Sequence, residues 1–572
     1  MESPDRENIE THAVPTDSIG SLLAAQAARC PNAVAIAAPG RPALTYRKLY
    51  EQVREVGAAL NSSGIGRNDR VAVTVPNGPE MAVTFLAVAA ASTCAPLNPA
   101  YTATEFDFYL TDLKANAVIV LSGSDSPVRG VAKARGIPII EFSPRPDAEA
   151  GLFTLSSLVG PPSTRAGLAK ADDVALVLHT SGTTSRPKII PLSHKNLCTS
   201  AHNIRSRLQL TESDRCLNVM PLFHIHGLIG ALLSSLATGA SVFCTPGFSQ
   251  VHFFQWMNEF DPTWYTAVPS IHQEVLAGAG ANQEIITRSR LRFIRSSSSA
   301  LPPKVMMDLE KTFSAPAIEA YGMTEASHQI ASNPLPPAQR KMGSVGVPSG
   351  PKVAIINESG HPLPRGEIGE IAMCGANVTV SPPVTAQIGD TLGQGWIRTG
   401  DIGFLDSDGY LFISGRVKEM INRGGEKISP REIDEVLLEH SAVAQAVACA
   451  IPHSRLGEDV IAVVVRRPGA TVSERELREF AATRLAPFKV PCRVIFVEQI
   501  PKGPTGKIQR IGLAHKLGVE SLADIRSAEK VAPVAPRTAV ETVLAEIWME
   551  VLGIDQVDMH DNFFELGGDS LA

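Results

Sequence analysis

Short unbroken apolar runs alternate with amphipathic stretches through most of the chain. Val71-Ala72-Val73-Thr74-Val75, Ala117-Val118-Ile119-Val120-Leu121, Val174-Ala175-Leu176-Val177-Leu178 and Val353-Ala354-Ile355-Ile356 are too short for helices and rich in β-branched residues. They predict buried strands. The helical patterns between them predict a layered α/β body that reaches to about residue 415. The apolar, alanine-rich stretch from Met81 to Leu97 is slightly short for a membrane span and contains Ser92 and Thr93. It predicts a buried helix followed by a strand.

The pattern then shifts to a smaller scale. Tyr410 to Ser414 reads as a short strand and Gly415 to Glu419 as a connection. Ser429-Pro430-Arg431-Glu432 predicts a helix start, with serine at the cap and proline at the first helical position. The helix runs from Glu432 to His440, and strands follow at Val443 to Pro452 and Val460 to Val465. The expected organisation is a large body over 1–417, a mobile α+β subdomain over 418–517 and a linker over 518–536. A carrier-like segment over 537–572 closes it. The linker ends in the Pro/Ala run Glu529 to Pro536, a semi-rigid composition. An amphipathic helix is expected from Val540 to Leu552.

Composition narrows the function classes. The 572 residues are 44% hydrophobic and 19% charged, which is globular rather than disordered. A net charge of −6 and the lack of a basic run give no footprint for nucleic acid. Eight scattered cysteines without CxxC pairs argue against a zinc site or a disulfide framework and predict a reducing, cytoplasmic setting. The polar stretch Met1 to Asp17 has no signal-peptide pattern, and no membrane association is expected.

Four segments carry candidate chemistry. His179-Thr180-Ser181-Gly182-Thr183-Thr184-Ser185-Arg186-Pro187-Lys188 follows a predicted strand. Gly182 lets the backbone approach an anion, the hydroxyls donate hydrogen bonds and Lys188 adds charge. The same residues also suit a plain solvated turn. Tyr321-Gly322-Met323-Thr324-Glu325 offers a carboxylate that could hold Mg²⁺ against phosphate oxygens, or a capping residue. Asp401, in Thr399-Gly400-Asp401-Ile402-Gly403, is either turn chemistry or an acceptor for ribose hydroxyls. Lys507, in Pro504-Thr505-Gly506-Lys507, is either part of a basic loop or a mobile point charge that reaches into a cleft.

In this order the four segments resemble the acyl-adenylate-forming superfamily of acyl-CoA synthetases, nonribosomal-peptide adenylation domains and luciferases, over roughly residues 20 to 515. The resemblance implies ATP contacts from Thr180, Ser181, Gly182, Thr183, Thr184, Lys188, Ser299, Tyr321, Asp401 and Arg416. It implies Mg²⁺ on Glu325 with Thr324 beside it, a hinge at Lys418 and a thiol-arm turn at Gly424-Gly425. A carboxylate would attack the α-phosphate of ATP with Lys507 between the two anions. The acyl-AMP would then pass its acyl group to a thiol.

Finer features resemble the oxalyl-CoA synthetases: Ser185-Arg186, Pro221-Leu222-Phe223-His224-Ile225-His226-Gly227, and Met323-Thr324-Glu325-Ala326-Ser327-His328. That resemblance implies a very small acid pocket lined by His224, Ser298 and His328. For His224, gating of the thiol tunnel is the competing role. Ile189 stands where a glycine is common, and residues 381 to 393 lack the usual Tyr/Gly pattern. Residues 227 to 240 contain no acid to hold a substrate ammonium, so a small carboxylic acid without an α-amino group is expected.

The segment Asp561 to Ala572 contains Gly567-Gly568-Asp569-Ser570 and resembles a carrier attachment motif, with Ser570 taking 4′-phosphopantetheine from a phosphopantetheinyl transferase. The 36 or so residues of this segment are too few to fold alone, so a truncated carrier is expected. The expected function is ATP-dependent activation of the acid and thioester formation on carrier phosphopantetheine. The alternative is a free acyl-CoA ligase for a small dicarboxylate such as oxalate.

Overall fold

The computed structural model describes residues 18–156, 161–180, 187–379, 392–453, 456–501, 510–519, 536–552 and 556–557. The chain divides into two compact units. One comprises residues 1–399 and 403–413, the other residues 400–402 and 414–572.

The larger unit is built on two predominantly parallel sheets. The seven-stranded sheet runs in the order Phe153–Leu155, Ile139–Pro144, Ala117–Leu121, Arg70–Thr74, Thr93–Pro96, Val174–Thr180, Lys188–Ser193. The nine-stranded sheet places Phe293–Ser296 between Trp264–Ala267 and Ala317–Met323, and Trp264–Ala267 beside Arg215–Asn218, all parallel. Strands buried on both faces need apolar residues at every position, which is why they appear as unbroken runs.

The 81–97 run resolves as expected into helix Pro79–Ala91 and strand Thr93–Pro96. Residues Met81 to Ala91 are buried all round. The helix packs against strand Arg70–Thr74 of one sheet and strand Ser241–Cys244 of the other, so neither side meets water. A further sheet runs Lys352–Ile356, Gly369–Cys374, Ile397–Leu405, Leu411–Arg416.

The smaller unit pairs the long antiparallel strands Val443–His453 and Gly457–Arg466, with Arg493–Phe496 parallel to the latter. Helices Pro430–Leu438 and Glu474–Ala482 bury Ile433, Leu437, Leu477 and Ala481. Strands Ile421–Arg423 and Glu426–Ile428 form a hairpin whose turn is Gly424-Gly425, with φ of 60° and 96°. Two successive left-handed residues are what a tight two-residue hairpin turn demands. Helix Ala539–Leu552 exposes Val540, Val543, Leu544, Ile547 and Val551 along one helical stripe. The fold class is therefore the expected one: a large layered α/β body, a smaller α+β part and a helix of the carrier segment.

Candidate active site

Strands Arg215–Asn218, Trp264–Ala267 and Phe293–Ser296 lie side by side and carry polar residues into an otherwise apolar sheet. Thr266 and Arg295 are register partners on adjacent strands, and both are wholly buried. Past the end of the third strand the chain enters a serine run, where Ser298 adopts φ 75°. A non-glycine residue in that region is strained and tends to mark functional sites. Ser297 anchors the turn by donating from Oγ to the carbonyl of Ala320 at 3.0 Å, and Ser299 Oγ donates to the carbonyl of Ser298 at 2.9 Å.

Beyond strand Arg215–Asn218 the chain bends through Pro221 to His224 and forms a π-helix over His226–Leu233. Such wide turns are rare and concentrate at functional sites. The π-helix begins with His226, which is buried. Its Nδ1 lies 3.1 Å from Ser298 Oγ and its Nε2 lies 2.6 Å from Thr266 Oγ1.

The third component comes from the segment after Ala317–Met323. A short 3₁₀ turn over Thr324–Ala326 is followed by Ser327 and His328, with φ of 51° and 99°. His328 then enters strand His328–Ser332, antiparallel to Ala317–Met323. Its ring stacks on His226 with centroids 5.0 Å apart. Gly230 of the π-helix faces this pair, and a Cβ there would lie 2.6 Å from His328 Nε2. Arg295 joins the cluster from the sheet. Its guanidinium donates to His328 Nε2 at 2.9 Å and to Gln329 Oε1 at 3.2 Å.

Of the three residues expected in the acid pocket, Ser298 and His328 come together, linked through His226 and Arg295. His224 lies in the bend before the π-helix, half-buried, with its ring against Phe223. His226, Arg295, Thr266 and Gln329 were not singled out from sequence. A lone arginine inside the buried run Phe293–Ser296 was the available signal. Burial pushes Arg295 down to about 10, which leaves it charged at neutral pH.

The expected nucleotide residues fall into three groups. Thr180 and Lys188 are register partners on the antiparallel strands Val174–Thr180 and Lys188–Ser193. Ser181, Gly182, Thr183 and Thr184 lie outside the described residues, as do Lys507 and Ser570. His179, the residue before Thr180, lies 3.0 Å from Asp112 and edge-on to Tyr109; burial holds its pKa below the ordinary histidine value.

Tyr321 is buried near the end of its strand, and the half-buried Thr324 and Glu325 open the 3₁₀ turn three residues further on. The carbonyl of Glu325 accepts from the Thr379 amide at 2.8 Å. In the smaller unit, Asp401 is 3% exposed and accepts from Arg416 Nε at 2.7 Å, while half of the Arg416 side chain faces solvent. The two residues expected at the ribose thus bind each other. Lys418 is exposed two residues beyond Arg416.

Among the described residues there is no group of three histidine, cysteine or acidic side chains that could hold a metal alone. No described helix is long and apolar enough to cross a membrane.

Residues 23–380 match the AMP-binding enzyme family, 432–507 its C-terminal domain and 542–572 the phosphopantetheine attachment site family. The chain is 42% identical over 513 residues to an oxalate–CoA ligase of Arabidopsis thaliana, covering 86% of this chain and 98% of that protein. It is 40% identical over 510 residues to an oxalate–CoA ligase of Saccharomyces cerevisiae, covering 84% and 93%. Among solved structures it resembles ATP-bound MatB from Rhodopseudomonas palustris, with a TM-score of 0.76, 29% identity, and coverage of 87% and 98%. With its family segments in this order and its buried, histidine-lined cluster, the chain belongs to the AMP-binding enzyme family and is an acid–thiol ligase that binds ATP and works through an AMP-linked intermediate.

Proposed function

We propose that this ligase activates a small carboxylic acid without an α-amino group and loads it onto a thiol carried by Ser570. The observation that carries the reading is the cluster of Ser298, His226, His328 and Arg295. It presents hydrogen-bond donors and a buried positive charge, and Arg295 has no carboxylate within 4 Å among the described residues. A substrate ammonium would be repelled there, whereas a compact anion is held.

In the first half-reaction a substrate carboxylate oxygen bonds to the α-phosphorus of ATP. The bond to the bridging oxygen breaks, and pyrophosphate leaves with that electron pair. The residues must bring two anions together, and positioning of this kind supplies roughly 7–11 kcal/mol. Lys507 is the proposed bridge between the carboxylate and the α-phosphate. Glu325 is the residue that would hold Mg²⁺. A single half-buried carboxylate suits that ion, which takes one or two carboxylates and completes its octahedron with phosphate oxygens and water. In the second half-reaction a thiolate sulfur attacks the acyl carbon and AMP departs. Lys418 is the proposed hinge between the two steps, and Gly424-Gly425 the turn that meets the thiol arm.

A phosphopantetheine arm on Ser570 would supply the accepting thiol, installed by a phosphopantetheinyl transferase. The exposed apolar stripe of helix Ala539–Leu552 fits the first helix of such a carrier. The second reading, a free CoA ligase for a small dicarboxylate such as oxalate, is favoured by relatives named oxalate–CoA ligase. Cysteines outside any disulfide suit a cytoplasmic setting.

A panel of acids read by pyrophosphate release tests the acid class. Oxalate and similar amino-free acids should drive release, and strong release with an ordinary α-amino acid but none with amino-free acids would overturn the reading. Adding CoA, or comparing the pantetheinylated chain with its Ser570→Ala variant, then identifies the acceptor.

A further inference from the structure

Arg295 is 0% exposed and no acidic side chain among the described residues lies within ion-pair distance of it. Arg423, nearly as deeply buried in the other unit, is instead paired with Asp459 at 2.7 Å. A buried guanidinium without a counter-charge is expensive, because desolvation is not repaid by attraction. Its Nε and the side-chain nitrogen of Gln329 are also without hydrogen-bond partners among the described residues. The cluster has the charge and the donor set of an anion-binding site.

Arginine can only donate hydrogen bonds, and that fixes the neighbouring protons. His328 Nε2, 2.9 Å from the guanidinium, must accept, so its ring proton sits on Nδ1. The same guanidinium reaches His226 Nε2 at 3.5 Å, where the ring nitrogen can only accept, so the Thr266 hydroxyl, which itself accepts from the guanidinium at 3.4 Å, gives its proton to His226 Nε2 at 2.6 Å. His226 therefore also carries its proton on Nδ1, and that N–H donates to Ser298 Oγ at 3.1 Å. Ser298 keeps its hydroxyl proton for a ligand.

We infer that Arg295 is a specificity-determining positioning residue: it locks both imidazoles as Nδ1–H donors and supplies the positive charge that selects a small acid bearing a second anionic group. The inference rests on the ligase reading above and adds the charge of the substrate. Adenylation shows why the second group matters. The reacting carboxylate loses its charge when it becomes a mixed anhydride with AMP, so a singly charged acid would leave Arg295 uncompensated in the intermediate. A second anionic group stays charged through both half-reactions. A cation clamped on the reacting carboxylate would also weaken it as a nucleophile, whereas one held on the distal group does not.

The test compares oxalate with oxamate and glyoxylate, which are similar in size but carry one charge, in pyrophosphate release by the full chain. Oxalate should be preferred, and Arg295→Met should raise its KM about 100-fold, since leaving a buried charge unpaired costs that order of affinity. The KM for oxamate should rise far less than that for oxalate, the KM for ATP should change little, and Arg295→Lys should restore part of the oxalate preference. Nitrogen-15 spectra of labelled histidines should show Nδ1–H rings for His226 and His328 in the parent and a loss of that pattern in Arg295→Met. An unchanged oxalate-to-oxamate ratio in folded Arg295→Met, or Nε2–H rings in the parent, would overturn the inference. A parent that favours the singly charged acids would also overturn it while leaving the ligase reading intact. Release with none of the acids would sink the ligase reading itself, and the tautomer spectra would still decide the role of Arg295.

Discussion

Single buried histidines set part of the acid sensitivity of the larger unit. His272 is wholly enclosed, 3.1 Å from the Tyr265 hydroxyl, and burial pulls its pKa down to about 3. His194 accepts from the Ile19 amide at 3.1 Å, and burial brings it to about 4 despite the nearby charge of Asp173. In the unfolded chain both titrate near the ordinary histidine value of 6.5. Below that pH the unfolded state binds protons that the folded state refuses, so stability falls as pH drops from about 6.5 toward the folded values. Above 6.5 neither contributes. Each buried histidine should cost about 2 kcal/mol between pH 7 and pH 5. His272→Gln, which keeps a hydrogen-bonding side chain but cannot titrate, should flatten the pH dependence of denaturant unfolding by that amount. A slope identical to the parent's would show that His272 takes up its proton in the folded state.

The π-helix His226–Leu233 is the element that most shapes the cluster, and it shows where sequence reading stops. The apolar runs at 71–75, 117–121 and 174–178 emerge as strands because burial on two faces leaves a mark at every position. The strand Lys188–Ser193 escaped notice because its burial alternates, interrupted by a proline and a terminal lysine. A π-turn leaves no comparable mark, since it differs from an α-helix by one residue per turn and all eight of its residues are buried anyway. His224 and His226 stand two positions apart in one motif, and which of them enters the cluster depends on the bend before that turn. Arg295 was legible in principle, as a charge inside an apolar strand, but its partners come from segments far apart in sequence. Gly230 tests the element directly. An alanine Cβ would lie 2.6 Å from His328 Nε2 and 3.2 Å from the His226 ring. Both rings must move, at an overpacking cost of about 1–3 kcal/mol. Gly230→Ala should raise the KM for the acid at least tenfold in pyrophosphate release while the KM for ATP changes little. Equal loss on both substrates would mean that the π-helix supports the whole site rather than the acid pocket.

At the scale of the whole molecule, the boundary between the two units passes through continuous strands. Gly400–Ile402 belongs by its contacts to the smaller unit although its strand, Ile397–Leu405, begins and ends in the larger one. The Asp401–Arg416 pair is therefore internal to the smaller unit, as is the backbone bond from Val417 to the Gly400 carbonyl at 2.9 Å. Both candidate ribose contacts thus belong to the unit that contains Lys418 and Lys507. This division assigns different work to the two ends of the reaction. The acid cluster lies wholly within the larger unit, whereas the proposed bridging cation belongs to the smaller. Removing that cation should leave acid recognition intact and strike the step in which two anions meet. For Lys507→Ala we expect adenylation, read as acid-dependent pyrophosphate release, to fall by several orders of magnitude, because the charge acts mainly in the transition state. Thioester formation from preformed acyl-AMP has no second anion to bring in and should fall by far less. Measured on one preparation, the two half-reactions separate a transition-state role from a folding defect: a folding defect lowers both together, and equal losses would remove Lys507 from the proposed chemistry.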